Sequence, residues 1–544
     1  MANKKLFASL PAPTPMPPAD TRNTAGGIAY QMDDEWALAQ LAFTGTFGST
    51  FYDLSGGENQ LAMLIDHASR VSDDYIGRLA VASRSVGFMK SMPAALVCLS
   101  ARDMQLFRRV FDKVVDAPNV LKEVFQMFRS GRFGHRGLGY AIKRAFERKL
   151  RNASPSWLYN MSIGRDPSLR DVFRLLHMKP NTLRERAMWG WLTGQAEKRW
   201  GGGASSSDLP ELFKSLDAYN RVTSEGEQLE LVHHLKDVRF EAKSSNARGP
   251  RVWKALVADM KPQALRMNLN AMLKHGAFSD PEIVEMVYLK LSDVEAVRGS
   301  RQFPFQYLAA YMYADQAMPQ RIRDGLHKAA DMTCGNVPEF GCPVALLVDV
   351  SGSMVGQSVT GSQGPGRESK VKCVDAAALF AVALWRKNPG SVLVPFDTRV
   401  HTDAFSLDPG DTLLSLTSRL ARYGGGGTDC GMSLRFVNEH LRDRPFGAAI
   451  MISDNQSWAD DQQHGPTGVR VEFGNFVANQ QRLGKYRNPK LMCVDLCPDN
   501  TCQTPDVADT LNVGGFSDGV FNLISQFISG DRMRFVEMIK KTEL

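Results

Sequence analysis

The sequence predicts two successive architectures in one chain: an array of short antiparallel helices to about residue 337, then a doubly wound, Rossmann-like α/β domain to the C-terminus. Three observations carry that prediction. Apolar residues recur at helical spacing from 33 to 332; beyond 338, short apolar runs alternate with helical patterns; and two of those runs end in a carboxylate, Asp349 and Asp454. Strand ends gather at one crevice in an open parallel sheet.

The helical half contains predicted segments at 58–71, 75–88, 103–114, 120–128, 138–151, 183–198 and 324–332, separated by short polar turns and almost free of Val or Ile runs. Stacked helix pairs build an α-solenoid with a long concave face or, when the stack closes, a ring. No strict repeat period is present, so the repeat expectation rests on helix spacing. Gly335, Pro338 and Gly341 punctuate the boundary. After it come strand 344–349, helix 372–387, strand 391–396, helices 413–423 and 432–441, strand 448–454, strand 490–496 and a final helix near 521–528, the alternation of a parallel sheet covered on both faces. The division is therefore 1–22, an arm with prolines at 11, 13, 15, 17 and 18; 23–337, the helical array; and 338–544, the α/β domain.

With 544 residues, 43% of them apolar and 23% charged, the chain is globular and long enough for several domains. Its formal charge of +7 is modest, but its placement is not. Between 122 and 151 stand nine Lys or Arg against Glu123 and Glu147, an excess equal to that of the whole chain. Such a cluster attracts phosphate or is a solvated face. The eight cysteines form no CxxC pair and no disulfide framework, which fits reduced thiols in a cytoplasmic protein. Cys493, Cys497 and Cys502 are the nearest approach to a zinc cluster, without a histidine beside them. The first apolar run is too short for a secretory signal and no run reaches membrane-spanning length, so a soluble protein with no membrane partner is expected.

Asp349, Ser351 and Ser353 put three small oxygen ligands on alternate positions, with Gly352 permitting the bend. One carboxylate plus hydroxyls suits a hard cation such as Mg²⁺. Asp and Ser are also favoured helix caps, so this stretch alone reads equally as a strand followed by a capped helix. The glycines at 424–427 leading to Thr428, and the strand ending at Asp454, tip the balance. Together these five positions resemble the metal-ion-dependent adhesion site of the von Willebrand factor A fold. That resemblance implies hydroxyl ligands from Ser351, Ser353 and Thr428, with Asp349 and Asp454 reaching the cation directly or through water, and an open position for a partner's carboxylate. The 424–427 run lacks the Lys-Ser/Thr of a phosphate loop, and the five residues bring no His or Lys base, so a binding protein and not an enzyme is expected.

The two halves together resemble the Ro autoantigen, or TROVE-domain, family, including its bacterial orthologues. The residues that carry this are NTAGG at 23–27, LAFTGTFGSTFY at 41–52, RLLHMKP at 174–180, LLVDVSGSM at 346–354, GGTDC at 426–430 and SDN at 453–455. The resemblance implies a ring of HEAT-like repeats closed by the A domain. It also implies Y RNA on the outer surface, single-stranded 3′ ends of structured or misfolded RNA in a central hole, and association with an exoribonuclease, notably polynucleotide phosphorylase. Nothing in the sequence demands more than a monomer.

For RNA, the spacing places Arg144, Arg148 and Arg151 along one side of the helix 138–151, with Arg129, Arg132, His135 and Arg136 leading into it. In the family an Arg-Lys pair occupies the positions of Lys143 and Arg144. His177 lies in an apolar pattern where a histidine is often a core residue; the resemblance implies RNA contact there and at Lys179. One departure stands out. Family members carry basic residues on the preceding helix, whereas this chain has Asn160 and Gly164, with Arg165 and Arg170 the basic residues nearby. Weaker capture of misfolded RNA, or capture through other residues, is expected. The rival reading is a metal-dependent protein-docking scaffold without an RNA role. Trp189, Trp191, Trp200, Phe125 and Phe128 do not separate the two, because their spacing equally suits core packing.

Overall fold

Helix starts in the first half are written in two chemistries. Ser72, Asp103, Ser154, Ser168, Thr182, Asp280 and Asp293 cap their helices through side-chain oxygens, and Pro118, Pro155, Pro250, Pro262, Pro281 and Pro304 occupy first turns where the missing N–H costs nothing. The computed structural model describes residues 19–23, 25–31, 33–44, 56–86, 89–135, 137–163, 167–195, 202–300, 302–358, 370–403, 407–458, 468–497, 501–505, 509–514, 518–528 and 534–544. Most predicted helices are present with shifted ends: Gly56–Arg70, Asp73–Ser85, Met104–Val114, Pro118–Ser130, Tyr140–Arg151 and Gln320–Thr333. The segment predicted at 183–198 stops at Leu192, where Gly194 turns left-handed at φ 66°.

The helices pack through aromatics. Phe146 meets Phe111 and Phe125 edge-on with centroids 5.1 and 5.5 Å apart, and Phe107 meets Phe128 likewise at 5.8 Å. Phe125, Phe128 and Trp189 are fully buried, and half-buried Trp191 packs on Phe213, so four of the aromatics left undecided by the sequence serve the core; Trp200 lies outside the described residues.

Two short strands precede the array, β1 (Thr21–Arg22) and β2 (Ile28–Gln31), which the sequence reading assigned to the arm and the start of the helical half. The α/β domain holds β3 (Val344–Asp349), β4 (Val392–Phe396), β5 (Ala448–Ser453), β6 (Lys490–Asp495), β7 (Thr501–Cys502) and β8 (Thr510–Gly514). The five-stranded sheet runs β4-β3-β5-β6-β8, all parallel, so the order reverses at β3. Such a switch point opens a crevice at the strand's carboxyl end. Ala345 and Leu347 pack toward the helices Cys430–His440 and Val469–Leu483, the second of which the sequence reading missed. Leu346 and Val348 face the opposite way, into a core that runs through the helix Cys373–Lys387 and on into the helical array.

The chain closes on itself. The last helices of the array, Pro304–Tyr313 and Gln320–Thr333, lie against Cys373–Lys387 and the helix Leu413–Leu420. At the other end, β2 pairs with β7, the helix Asp34–Thr44 touches β8, and the C-terminal helix Arg534–Lys540 packs on Asp73–Ser85. Lys540 pairs with Glu35 at 2.7 Å, and Arg78 donates to the Thr542 carbonyl at 2.6 Å. Among the described residues no helix is long and apolar enough to cross a membrane.

Candidate metal centre and nucleic-acid interface

β3 is buried over its whole length and delivers Asp349, fully buried, to the switch point. Three loops are laced together there. Gly352 N–H donates to the Gly426 carbonyl at 2.8 Å and Gly425 N–H to that of Val350 at 2.8 Å, binding the first loop to the second. A Cβ on Gly424, which sits at φ 85°, would lie 2.1 Å from the Val350 carbonyl oxygen, so the glycine run is a requirement of this approach. The third loop joins through Trp458 N–H, which donates to the Thr428 carbonyl at 3.2 Å, and Cys430 N–H, which donates to Ser457 Oγ at 3.1 Å.

All five sequence-predicted ligands lie on these loops and are almost fully buried: Asp349, Ser351, Ser353, Thr428 and Asp454. Ser351 Oγ and Ser353 Oγ are 3.2 Å apart. Asp349 accepts from Ser351 N–H at 2.8 Å and from Ser453 Oγ at 2.7 Å. Its carboxyl is nevertheless pushed up to about 7, first by burial and then by the neighbouring charge of Asp454. Two buried carboxylates repelling each other beside three hydroxyls form an all-oxygen donor set whose charge a hard divalent cation would compensate, so the residues fit the group. Among the described residues no group of three or more His, Cys, Asp or Glu could hold a metal. Of the cysteines weighed for zinc, Cys497 Sγ is 3.4 Å from Cys373 Sγ, while Cys493 and Cys502 both meet Thr504, Cys493 Sγ through its Oγ1 and Cys502 Sγ through its carbonyl, with the Tyr30 carbonyl also facing Cys502.

The second site lies on the helix Tyr140–Arg151. Ile142, Ala145, Phe146 and Leu150 fill the core, which turns Arg144 and Arg148 outward with side chains 66% and 48% exposed. The helix runs between two surface grooves. One, of about 570 Å³, is lined by Met104, His135, Leu138, Tyr140 and Ile142; the other, of about 450 Å³, by Asp112, Asp116, Arg148, Lys149 and Trp157.

The predicted basic residues divide. Arg129 is exposed beside the Phe125 ring. Arg132 pairs with Glu58 at 2.5 Å, and Arg148 with Asp112 at 2.6 Å. Arg136 lies outside the described residues. Two members of the charge cluster serve the fold. Lys122 is buried with Nζ on the Ile163 carbonyl at 2.7 Å, and burial pulls its ammonium down. Arg151 leaves the predicted stripe, because Glu185 from the helix Leu183–Leu192 pairs with it at 3.0 Å and Glu147 at 3.0 Å, while its guanidinium lies 5.3 Å from the Trp189 ring centre.

His177 is no core histidine. It caps the helix Leu169–Leu176 in the left-handed region at φ 58°, and its side chain is exposed, as is that of Lys179. Arg151 Nη2 also donates to the Lys179 carbonyl at 2.8 Å, which ties the His177 turn to the end of the basic helix across 28 residues of sequence. Of the residues at the departure from the family, Asn160 is half-buried on Pro155–Ser162, Arg170 is exposed, and Gly164 and Arg165 lie outside the described residues.

Two residues escaped the sequence reading. Tyr140 is 79% exposed at the head of the basic helix; its position in a first turn, behind the glycines at 131, 134, 137 and 139, was the available signal. Asn23 is buried and donates through Nδ2 to the Ser457 carbonyl at 2.8 Å and that of Asn455 at 3.3 Å, on the third metal loop. Only its place in the NTAGG motif marked it.

Comparison with known proteins agrees with this layout. A family model of the Ro60 vWA domain matches residues 344–528, and one of the TROVE domain matches 236–332. The chain is 25% identical over 540 residues to the RNA-binding protein RO60 of Deinococcus radiodurans, covering 94% of this chain and 95% of that one. It is 23% identical over 329 residues to the RNA-binding protein RO60 of Caenorhabditis elegans, 58% of this chain and 48% of that one. The crystal structure of the Deinococcus radiodurans RO (RSR) protein superposes with a TM-score of 0.61 at 20% identity, over 92% of this chain and 100% of that chain.

Proposed function

Since the chain belongs to the Ro family, carrying that family's TROVE and vWA domains in order, we propose that it is an RNA-binding scaffold that takes Y-like RNA on its outer helical surface. It admits single-stranded 3′ ends of structured or misfolded RNA to the space the closed array surrounds, and so serves RNA quality control without itself being an enzyme. The observation that carries this reading is the Arg151 to Lys179 contact at 2.8 Å, because it makes one surface of two separate stretches, the basic helix and the exposed His177 turn. A patch with Tyr140 at its head, Arg144 and Arg148 outward, and the His177 turn joined to the end of the helix through Arg151 offers phosphate neutralisation together with a ring on which a base can stack. That both relatives are RNA-binding proteins supports the same class.

The metal centre belongs to the same proposal. Asp349, Ser351, Ser353, Thr428 and Asp454 would hold Mg²⁺, and the cation would present an open coordination position to a carboxylate of a protein partner. An exoribonuclease such as polynucleotide phosphorylase is the partner class proposed. Eight unbridged cysteines support a cytoplasmic setting.

The test is a gel-shift titration against a Y-like stem-loop and a duplex with a single-stranded 3′ tail, repeated across salt concentrations. Tight stem-loop binding that drops with Lys143→Ala/Arg144→Ala or with His177→Ser is the expected result. Loss of the tailed RNA alone would move the proposed surface to the interior of the array. No binding to either RNA at moderate salt sinks the RNA role and leaves a docking scaffold.

A further inference from the structure

The third metal loop is gripped by the opposite end of the chain. Asn23 does so with both ends of its amide: Nδ2 donates to the carbonyls of Ser457 and Asn455, while Oδ1 accepts from Ala25 N–H at 3.1 Å and Gly27 N–H at 2.9 Å. Ala25 N–H also donates to Gln456 Oε1 at 3.2 Å. The fit is close, since a Cβ on Gly27 would lie 1.9 Å from the Ser457 carbonyl oxygen. Immediately after this turn, β2 pairs with β7 through Tyr30 opposite Cys502 and Gln31 opposite Thr501.

The same loop begins with a metal ligand. Asp454 Oδ1 accepts from Gln456 N–H at 3.3 Å, and Asn455 sits at φ 58°, held by its own Nδ2 to Asp495 at 3.0 Å. Its far end touches Thr428 and Cys430 through Trp458 and Ser457. Four consecutive residues thus have a metal ligand at one end and the N-terminal segment's hydrogen bonds along the rest. A change in the position of the Asp454 carboxylate shifts the carbonyls that Asn23 reads.

We propose that Asn23 is a positioning residue of the metal centre, so that cation binding and the seating of residues 23–31 on the α/β domain are one linked equilibrium. This rests on the metal centre proposed above. Asn23 touches no ligand atom; it fixes the loop that presents Asp454, as an outer-shell partner fixes a coordinating group. Linkage makes the effect reciprocal: the factor by which the seated segment tightens cation binding is the factor by which the cation tightens the segment. The array keeps its other closures, Lys540 on Glu35 and Arg78 on the Thr542 carbonyl, so loss of the cation loosens this seam and leaves the fold standing.

The experiment uses the full chain and Mn²⁺, a hard cation with an EPR signal, titrated into wild type, Asn23→Ala and Gly27→Ala. Amide exchange of residues 28–31 is followed with Mn²⁺ and with a chelator. Expected are a loss of about 10-fold in Mn²⁺ affinity for Asn23→Ala, the low end for an outer-shell partner, and a similar loss for Gly27→Ala, whose Cβ displaces the segment while Asn23 keeps its own turn. In wild type, exchange of 28–31 speeds by the same factor on chelation, and that of the helix Leu169–Leu176 stays constant. Unchanged Mn²⁺ affinity in both variants, or exchange at 28–31 indifferent to Mn²⁺, overturns the coupling and leaves the metal centre intact. Exchange that also speeds in Leu169–Leu176 reports general loosening and overturns it too. Failure of wild type to bind Mn²⁺ overturns the metal centre and the coupling together.

Discussion

The metal loops and the basic helix are both candidate binding sites, and they are built by opposite means. At the metal loops the functional groups are buried and immobilised: five side chains within a few per cent of full burial, three loops joined backbone to backbone, and carboxyls whose mutual repulsion is held in place by the strands beneath. On and beside the helix Tyr140–Arg151 the candidate groups lie nearer solvent, and acids from neighbouring helices compete for some of them, Asp112 for Arg148 and Glu58 for Arg132, while Glu185 holds the partly buried Arg151 out of the patch. A buried site is specified by what the fold forces together; an exposed one by what solvent and nearby charges leave available.

The largest effect should come from removing the centre of the buried site. Asp349→Ala should abolish cation-dependent stabilisation. Wild type should gain about 2.7 kcal/mol when Mg²⁺ is present at 100 times its dissociation constant, and the variant should gain nothing, read by thermal unfolding with Mg²⁺ or a chelator. Equal stabilisation of both would mean that the cation sits elsewhere. On the exposed site, Lys143→Ala/Arg144→Ala should weaken RNA binding across sequences and lower the log–log salt slope by about 2, one for each lost charge. A variant with the wild-type slope would place the RNA off this helix.

The same contrast explains how far the sequence could be read. The strand ends, the glycines at 424–427 and the gathering of the five candidate ligands on adjacent buried loops were legible because burial and hydrogen-bond geometry restrict the residue types that can stand there. The α/β alternation as far as β6 was legible for the same reason, although the helix Val469–Leu483 and β8 went unmarked; so did β1, β2 and β7, whose two to four residues carry no periodicity, the β2–β7 pairing being made across the whole chain. Arg151 and Lys122 were counted as surface charge because their partners, Glu185 and the Ile163 carbonyl, come from elements that spacing within one helix cannot see. The apolar neighbours of His177 suit a core histidine and only the family resemblance pointed to RNA; the helix ends at Leu176 and its left-handed cap turns the ring outward. Tyr140 went unmarked because exposure of an aromatic in a first turn depends on the path of the preceding glycines.

Two smaller effects test what the exposed site has left over. Tyr140→Ala should cost about 1 kcal/mol in binding to RNA with unpaired bases, the low end for loss of one stacking platform, and should leave the salt slope unchanged because no charge is lost. A cost equal for fully paired RNA would mean that the ring packs against backbone and does not stack on a base. The smallest effect is the most discriminating. Arg148 and Asp112 are each about half exposed and paired at 2.6 Å, a pair of the kind worth about 0.2–1 kcal/mol. Asp112→Asn keeps the side-chain shape and removes the competing charge. If RNA phosphate takes over Arg148 on binding, the wild-type complex must first give up that pair, and the variant need not. Affinity should then rise by up to about 5-fold, the pair's worth returned to the RNA, with nearly the same salt slope, because Arg148 neutralises one phosphate in both complexes. A slope steeper by about 1 in the variant would mean that Arg148 stays on Asp112 in the wild-type complex and meets phosphate only once that acid is gone.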